Sequence, residues 1–223
     1  MNGPHVLVVA KSPVAGRVKT RLCPPCDPEE AAELAEAALA DTLDAVAACG
    51  VSRRLLALDG APGQWLPSGF HVFSQCEGSF ADRLGHAWAT AGGPGLQIGM
   101  DTPQVTGDLL DRCLAELLGG GERTAALGLA EDGGWWALGV LRVRVPMFDG
   151  VPMSTASTGA AQWRRLETLG HTVVGLPTLV DVDRIEDACA VAREAPATRF
   201  GRLVGAIGLD ARRAGAPDGT PGR

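Results

Sequence analysis

Lys11, Arg17, Lys19 and Arg21 crowd four cations into one short stretch of a chain whose formal net charge is −6. Cations gathered in this way can hold phosphate oxygens through charge-assisted hydrogen bonds. They lie in Ala10-Lys-Ser-Pro-Val-Ala-Gly-Arg-Val-Lys-Thr-Arg-Leu22. Pro13 and Gly16 break regular structure there, and Gly16 lets the backbone approach a ligand closely. The same stretch also reads as a solvated charged loop.

Three groups of carboxylates could complement it. Asp101 follows the apolar run Leu96–Met100 and is fixed by Pro103. It is placed either to hold a divalent cation, Mg2+ or Mn2+, or to cap the Thr102-Pro103 turn. Asp132 precedes Gly133, Gly134, Trp135 and Trp136; the glycines would let backbone approach a substrate while the acid reaches into the cleft. Of the two tryptophans, one should be core and the other either core or pocket wall. Asp181 and Asp183 flank Val182 in an extended Val180–Val182, so both should face one side. One would complete a metal site, or Asp183 would cap the helix beginning at Arg184.

Positioning these groups requires an α/β scaffold. His5–Ala10 is an apolar, β-branched run that reads as a buried strand. Asp27-Pro-Glu-Glu30 carries an N-cap, a first-turn proline and a capping-box glutamate, opening an alanine-rich helix from Glu29 to Ala48. A strand, a basic glycine-containing loop and a helix in that order suit phosphate binding. Further strands are expected at Arg54–Leu58, Phe70–Phe73, Leu96–Met100, Ala125–Ala130, Trp135–Val143, His171–Gly175 and Val180–Val182. Helices are expected at Phe80–Thr90, from Thr106 to Leu118, Thr155–Leu169 and Ile185–Ala195. The alternation predicts one mostly parallel sheet with helices on both faces. Residues 1–210 would form a single domain and 211–223, rich in Gly, Pro and Arg, a disordered tail.

At 223 residues the chain can bury one full core. Its acidic balance argues against polynucleotide binding and for a nucleotide. Six scattered cysteines and no apolar leader or span suggest a cytoplasmic protein that binds no membrane. Cys23-Pro-Pro-Cys26 stands before a helix, where a redox motif would sit. No thioredoxin-like pattern surrounds it, and no second ligand pair completes a zinc site. Among the four histidines none is arranged with a nucleophile.

Taken in order, these segments resemble the DUF2064 family of GT-A-like nucleotide-diphospho-sugar transferases, relatives of the molybdopterin and 2-phospholactate nucleotidyltransferases. The motifs run from the loop at 10–22 through Gln75-Cys-Glu-Gly78 with Arg83-Leu84, Gly99-Met-Asp101-Thr-Pro103 and Asp132-Gly-Gly-Trp135. They end with Gly150-Val-Pro-Met-Ser154-Thr155 and Asp181-Val-Asp183 with Glu186-Asp187. The chain departs from the family pattern at Ser79, Leu129 and Met153, where an acid, a proline and a tryptophan are usual.

The resemblance implies a Rossmann-like GT-A fold. It implies nucleotide binding by Lys11, Pro13, Gly16, Arg17, Lys19, Arg21, Gln75 and Arg83, and Mg2+ or Mn2+ at Asp101 with Asp181 or Asp183. Asp101 and Asp132 would be catalytic, and Gly133, Gly134, Trp135, Ser154 and Thr155 would bind a small-molecule acceptor. The implied reaction is glycosyl transfer from a nucleoside-diphosphate sugar. The alternatives are nucleotidyl transfer from a nucleoside triphosphate and a nucleotide-binding module without turnover.

Overall fold

The computed structural model describes residues 3–144 and 146–215. Seven strands form one sheet: β1 (His5–Lys11), β2 (Arg53–Asp59), β3 (Phe70–Ser74), β4 (Gly95–Ile98), β5 (Thr124–Ala130), β6 (Trp135–Val140) and β7 (Thr172–Leu179). Their order is β3-β2-β1-β4-β6-β5-β7. All pairings are parallel except those of β6, which runs against β4 and β5. The result is the mostly parallel α/β sheet that the alternating pattern predicts.

Strand alternation divides the core. Val6, Val8 and Ala10 face helices α1 (Pro28–Ala48) and α3 (Gly107–Gly119), while Leu7 and Val9 face α2 (Phe80–Ala91) and α4 (Thr158–Thr168). A third cluster packs the outer side of α1 on α5 (Ile185–Glu194), α6 (Arg199–Ala206) and α7 (Leu209–Gly215) through Leu22, Leu34, Val182, Ile185 and Phe200. Each cap has a visible cause. Asp27 and Glu30 form the expected capping box on α1, and Thr106 caps α3. Ser79, which stands where the family usually has an acid, caps α2 by exchanging bonds with Asp82.

Four expectations need correction. The strand expected at His171–Gly175 is longer, running Thr172–Leu179 as the edge strand β7, which tolerates Pro177 because an edge residue needs no ladder donor on its solvent side, while the piece expected at Val180–Val182 is not a strand. Asp181 and Asp183 therefore follow β7 in irregular chain, and strand alternation does not orient them. Helix α4 begins at Thr158 rather than Thr155, because the Thr158 hydroxyl accepts from the Thr155 N–H and donates to the Pro152 carbonyl, holding the preceding chain as a turn. The tail expected from residue 211 is helical as far as Gly215, with Arg212 paired to Glu30 at 2.7 Å; residues 216–223 lie outside the described residues. Helix α6, to which no sequence expectation was attached, is capped by Thr198. No described helix is long and apolar enough to cross a membrane.

Candidate functional site

Strand β1 is the point at which the sheet changes direction of growth, with β2 on one side and β4 on the other. Ligands of open α/β sheets sit at the carboxyl ends of strands beside such a point. Because β6 is antiparallel, its first residue, Trp135, arrives at the same edge as the last residues of β1 and β4. A cleft of about 800 Å³ opens there. Six cations and four carboxylates line it, an excess of positive charge on a protein of net charge −6.

One wall is a chain of ion pairs. The Lys19 ammonium lies 2.5 Å from an Asp101 carboxylate oxygen and also donates to the Val182 carbonyl. Its side chain is 8% exposed, against 37% for Asp101. Arg21 donates to Asp183. The Val182 N–H in turn donates to the Asp101 carbonyl at 2.8 Å, which ties the loop after β4 to the segment after β7. Gln104, also in the loop after β4, donates to the Val180 carbonyl at 2.7 Å. Burial and the neighbouring Asp101 push the Asp181 carboxyl up to about 8, with Lys19 opposing. Asp183 is not the cap of α5: Arg184 is, and Asp187 accepts from the backbone N–H groups of both.

The sequence-derived nucleotide residues do not all meet here. Lys11, Arg17, Lys19, Arg21, Gln75 and Arg83 line the cleft; Pro13 and Gly16 do not, and Pro13 lines a smaller adjoining hollow with Trp65. Gln75 spends its amide donors on the Ala10 and Ala57 carbonyls, at 2.8 and 3.0 Å, and so joins β1 to β2. Arg83 lies 3.5 Å from Asp59 and stacks over the Phe80 ring, 5.3 Å from its centre.

The other wall is built from neutral contacts. Asp132 accepts from the Gly134 N–H at 2.8 Å, closing the turn between β5 and β6, and reaches the cleft. Gly133 does not itself line the cleft. It has φ +88°, and a Cβ there would strike the Ala156 carbonyl oxygen. Gly134 and Trp135 line the cleft, with Trp135 stacked on Phe148 at a centroid distance of 6.3 Å. Trp136 is the buried member of the pair, donating to the Pro177 carbonyl at 2.9 Å, though it too borders the cleft. Ser154, at φ 58°, and Thr155 complete this wall.

The cysteine motif beside the basic loop is chemically quiet. Cys23 and Cys26 are free thiols, and both pKa values are raised, Cys26 to about 11, by burial first and then by acids that include Glu30. Burial, with the acids of the first turn of α1 adding to it, thus disfavours the thiolate that redox chemistry would need. Arg184, Thr20 and Phe80 also line the cleft and were missed. Arg184, directly after Asp183, had a usable signal, since a cation flanking a candidate acid is a natural site member. Gln104 gave none beyond being polar.

Among the described residues no three His, Cys, Asp or Glu side chains converge as a ready-made metal site. Asp101 and Asp181 supply a pair of hard oxygen donors, while Asp183 is engaged by Arg21. Two carboxylates suffice for Mg2+, which draws its remaining ligands from water and phosphate oxygens. The residues present fit such an ion.

Residues 34–155, more than half of the chain, match the family described as uncharacterized proteins conserved in bacteria, DUF2064. The chain belongs to the DUF2064 family. That span holds Gln75, Arg83, Asp101, Asp132, Ser154 and Thr155, and leaves out the basic loop and Asp181. No curated protein matches the sequence. Among solved structures, a protein of Desulfovibrio desulfuricans G20, provisionally named a nucleotide-diphospho-sugar transferase, is similar over 98% of this chain and 100% of its own, with a TM-score of 0.84 and 23% identity. A cytidylyltransferase from Leptospira borgpetersenii is similar over 95% and 96%, with a TM-score of 0.53 and 12% identity. A CMP:2-keto-3-deoxy-manno-octonic acid synthetase complexed with CTP is similar over 87% and 98%, with a TM-score of 0.53 and 14% identity. At these identities the likeness is one of fold: this DUF2064 protein has the fold found in nucleotide-sugar transferases and nucleotidyltransferases.

Proposed function

We propose that this protein is a divalent-metal-dependent transferase that takes a nucleotide-activated donor and moves a glycosyl group from a nucleoside-diphosphate sugar to a small-molecule acceptor. The observation that carries the reading is the cleft itself, which a surplus of cations lines together with the Asp101 and Asp181 carboxylates that follow β4 and β7. A polyanion together with its metal satisfies both charges. Lys11, Arg17, Lys19 and Arg21 would hold the diphosphate, with Arg184 in reach of the same space.

Asp101 and Asp181 would hold Mg2+ or Mn2+, which supplies charge neutralisation on the leaving diphosphate. Asp132 stands on the facing wall beside Trp135, where a carboxylate can orient an acceptor hydroxyl or take its proton. Trp135, Ser154 and Thr155 would bound the acceptor, excluding water from it. Gln75 holds the ends of β1 and β2 in register and contributes indirectly. Six free cysteines suit a reducing cytoplasm as the place of action.

Nucleotidyl transfer from a nucleoside triphosphate is the second reading. It is favoured by the fold shared with a cytidylyltransferase and a CTP-bound synthetase, and it uses the same loop and carboxylates. Mass spectrometry of products formed separately from nucleotide sugars and from nucleoside triphosphates separates the two. Release of a nucleoside diphosphate with a glycosylated product supports the first. Pyrophosphate with a nucleotidylated product overturns it.

A further inference from the structure

Lysine is used sparingly in this chain. Of twenty Lys and Arg residues only Lys11 and Lys19 are lysines, and both line the cleft. Lys19 is also the more buried partner of its ion pair, at 8% exposure. Its ammonium lies among oxygen atoms from two chain segments, the Asp101 carboxylate at 2.5 Å and the Val182 carbonyl. Asp181 is close enough to feel its charge. The backbone at Lys19 is left-handed, φ 48° and ψ 33°, a conformation that costs a side-chain-bearing residue energy and persists where surrounding contacts hold it. An ammonium is a compact point charge with three donors and can sit among oxygens as a small metal ion does; the planar guanidinium of arginine cannot.

We infer that Lys19 is a tethered stand-in for the divalent cation: in the donor-free protein its ammonium occupies the place beside Asp101 and the Asp181-Val182 segment that the metal takes, so Lys19 and metal compete for it. The inference rests on reading the cleft as a metal-dependent donor site. It gives Lys19 two positions of use, with Asp101 before the donor arrives and with donor phosphates afterwards. Donor phosphates that draw Lys19 away raise metal affinity, and by reciprocity metal raises donor affinity. Lys19 is thus a positioning residue that makes metal and donor enter together.

The test is Mn2+ binding followed by electron paramagnetic resonance with no nucleotide present. Lys19→Met is expected to bind Mn2+ at least about tenfold more tightly than the wild type, since a competing unit charge has been removed. Arg21→Met removes an equal charge from the same cleft and is expected to change affinity by less than about threefold, because its partner Asp183 is not a ligand in this account. Equal tightening by both variants reduces the effect to net charge and overturns the inference.

Reductive methylation of the wild type gives a second readout that does not depend on the variant folding. Saturating Mn2+ should raise labelling of Lys19 relative to Lys11, and unchanged labelling with Mn2+ bound overturns the inference. Mn2+ binding that Lys19→Met fails to tighten sinks this inference alone. Absence of Mn2+ binding in every protein, with or without a nucleoside diphosphate, sinks the metal-dependent reading as well.

Discussion

The wall of the cleft formed by Lys19, Arg21, Asp101, Asp181 and Asp183 is held by ion pairs, whereas the facing wall of Gly133, Trp135 and residues 154–158 is held by backbone contacts, ring stacking and hydroxyls. The Arg21–Asp183 pair is open to solvent, where an ion pair contributes little to stability, and both pairs of this wall offer charges that a ligand's charges can replace. A close backbone fit cannot be exchanged without moving the chain. The charged wall is therefore built to change partners and the neutral wall to stay in place, which is the division expected if phosphates and metal come and go on one side while an acceptor is positioned on the other.

Substitutions on the two walls should separate accordingly. The largest expected effect is that of Asp101→Asn, which keeps the shape of the charged wall but removes the carboxylate proposed to hold the metal. Steady-state kinetics with Mg2+ should show a loss of about a thousandfold in kcat, in addition to the stability lost when the buried Lys19 ammonium gives up its partner. A rate and metal dependence like those of the wild type would leave Asp101 as a turn residue.

Next, the Lys19→Ala/Arg21→Ala double variant should lose the nucleotide-induced rise in melting temperature while its own unfolding stays cooperative. Retention of that rise would place the phosphates elsewhere. The neutral wall should respond in the opposite way. Gly133→Ala forces a side chain into the Ala156 carbonyl at a positive φ and should cost about 3 kcal/mol of stability by denaturant unfolding. If it melts like the wild type yet loses activity, Gly133 serves the substrate after all.

A smaller, proton-linked effect arises away from both walls. His5, buried at the start of β1 against Trp88, has its pKa lowered to about 4, chiefly by burial and then by Arg53. The folded state favours the neutral ring, so this contribution is fully present above pH 6.5. It is lost as pH falls from 6.5 toward 4, a total of about 3 kcal/mol. His5→Gln should flatten that limb of the stability profile, and an unchanged limb would assign it to other groups.

The two walls also differed in how legible they were in the sequence. The strand, basic loop and helix at residues 5–48 could be read directly, because β-branched residues, Pro13, Gly16 and the Asp27–Glu30 capping box each act locally. The type of most other elements followed from the same local signals. The Glu131-Asp-Gly-Gly134 turn signal is compatible with a hairpin or a sharp bend, and β6 runs antiparallel to β5 beyond it. What could not be read were contacts that only the assembled sheet creates. The pairing of Lys19 with Asp101 and Val182 joins segments 82 and 163 residues apart in sequence. Gln75, expected as a ligand residue, lines the cleft and also ties β1 to β2, and its partners at Ala10 and Ala57 are supplied by neighbouring strands. The placing of Asp181 and Asp183 on a strand failed because β7 ends at Leu179 and residues 180–183 form no regular structure.

The central claim, that the charged wall is a nucleotide-diphosphate site, is tested most directly by the melting temperature of the intact protein with Mg2+ against a panel of nucleoside diphosphates, triphosphates and nucleotide sugars. At a hundredfold excess over its dissociation constant, one ligand class should stabilise the fold by about 2.7 kcal/mol, a rise of roughly 5–10 °C for a domain of this size. The rise should vanish in Lys19→Ala/Arg21→Ala. A panel in which no nucleotide moves the melting temperature of the wild type would contradict the account.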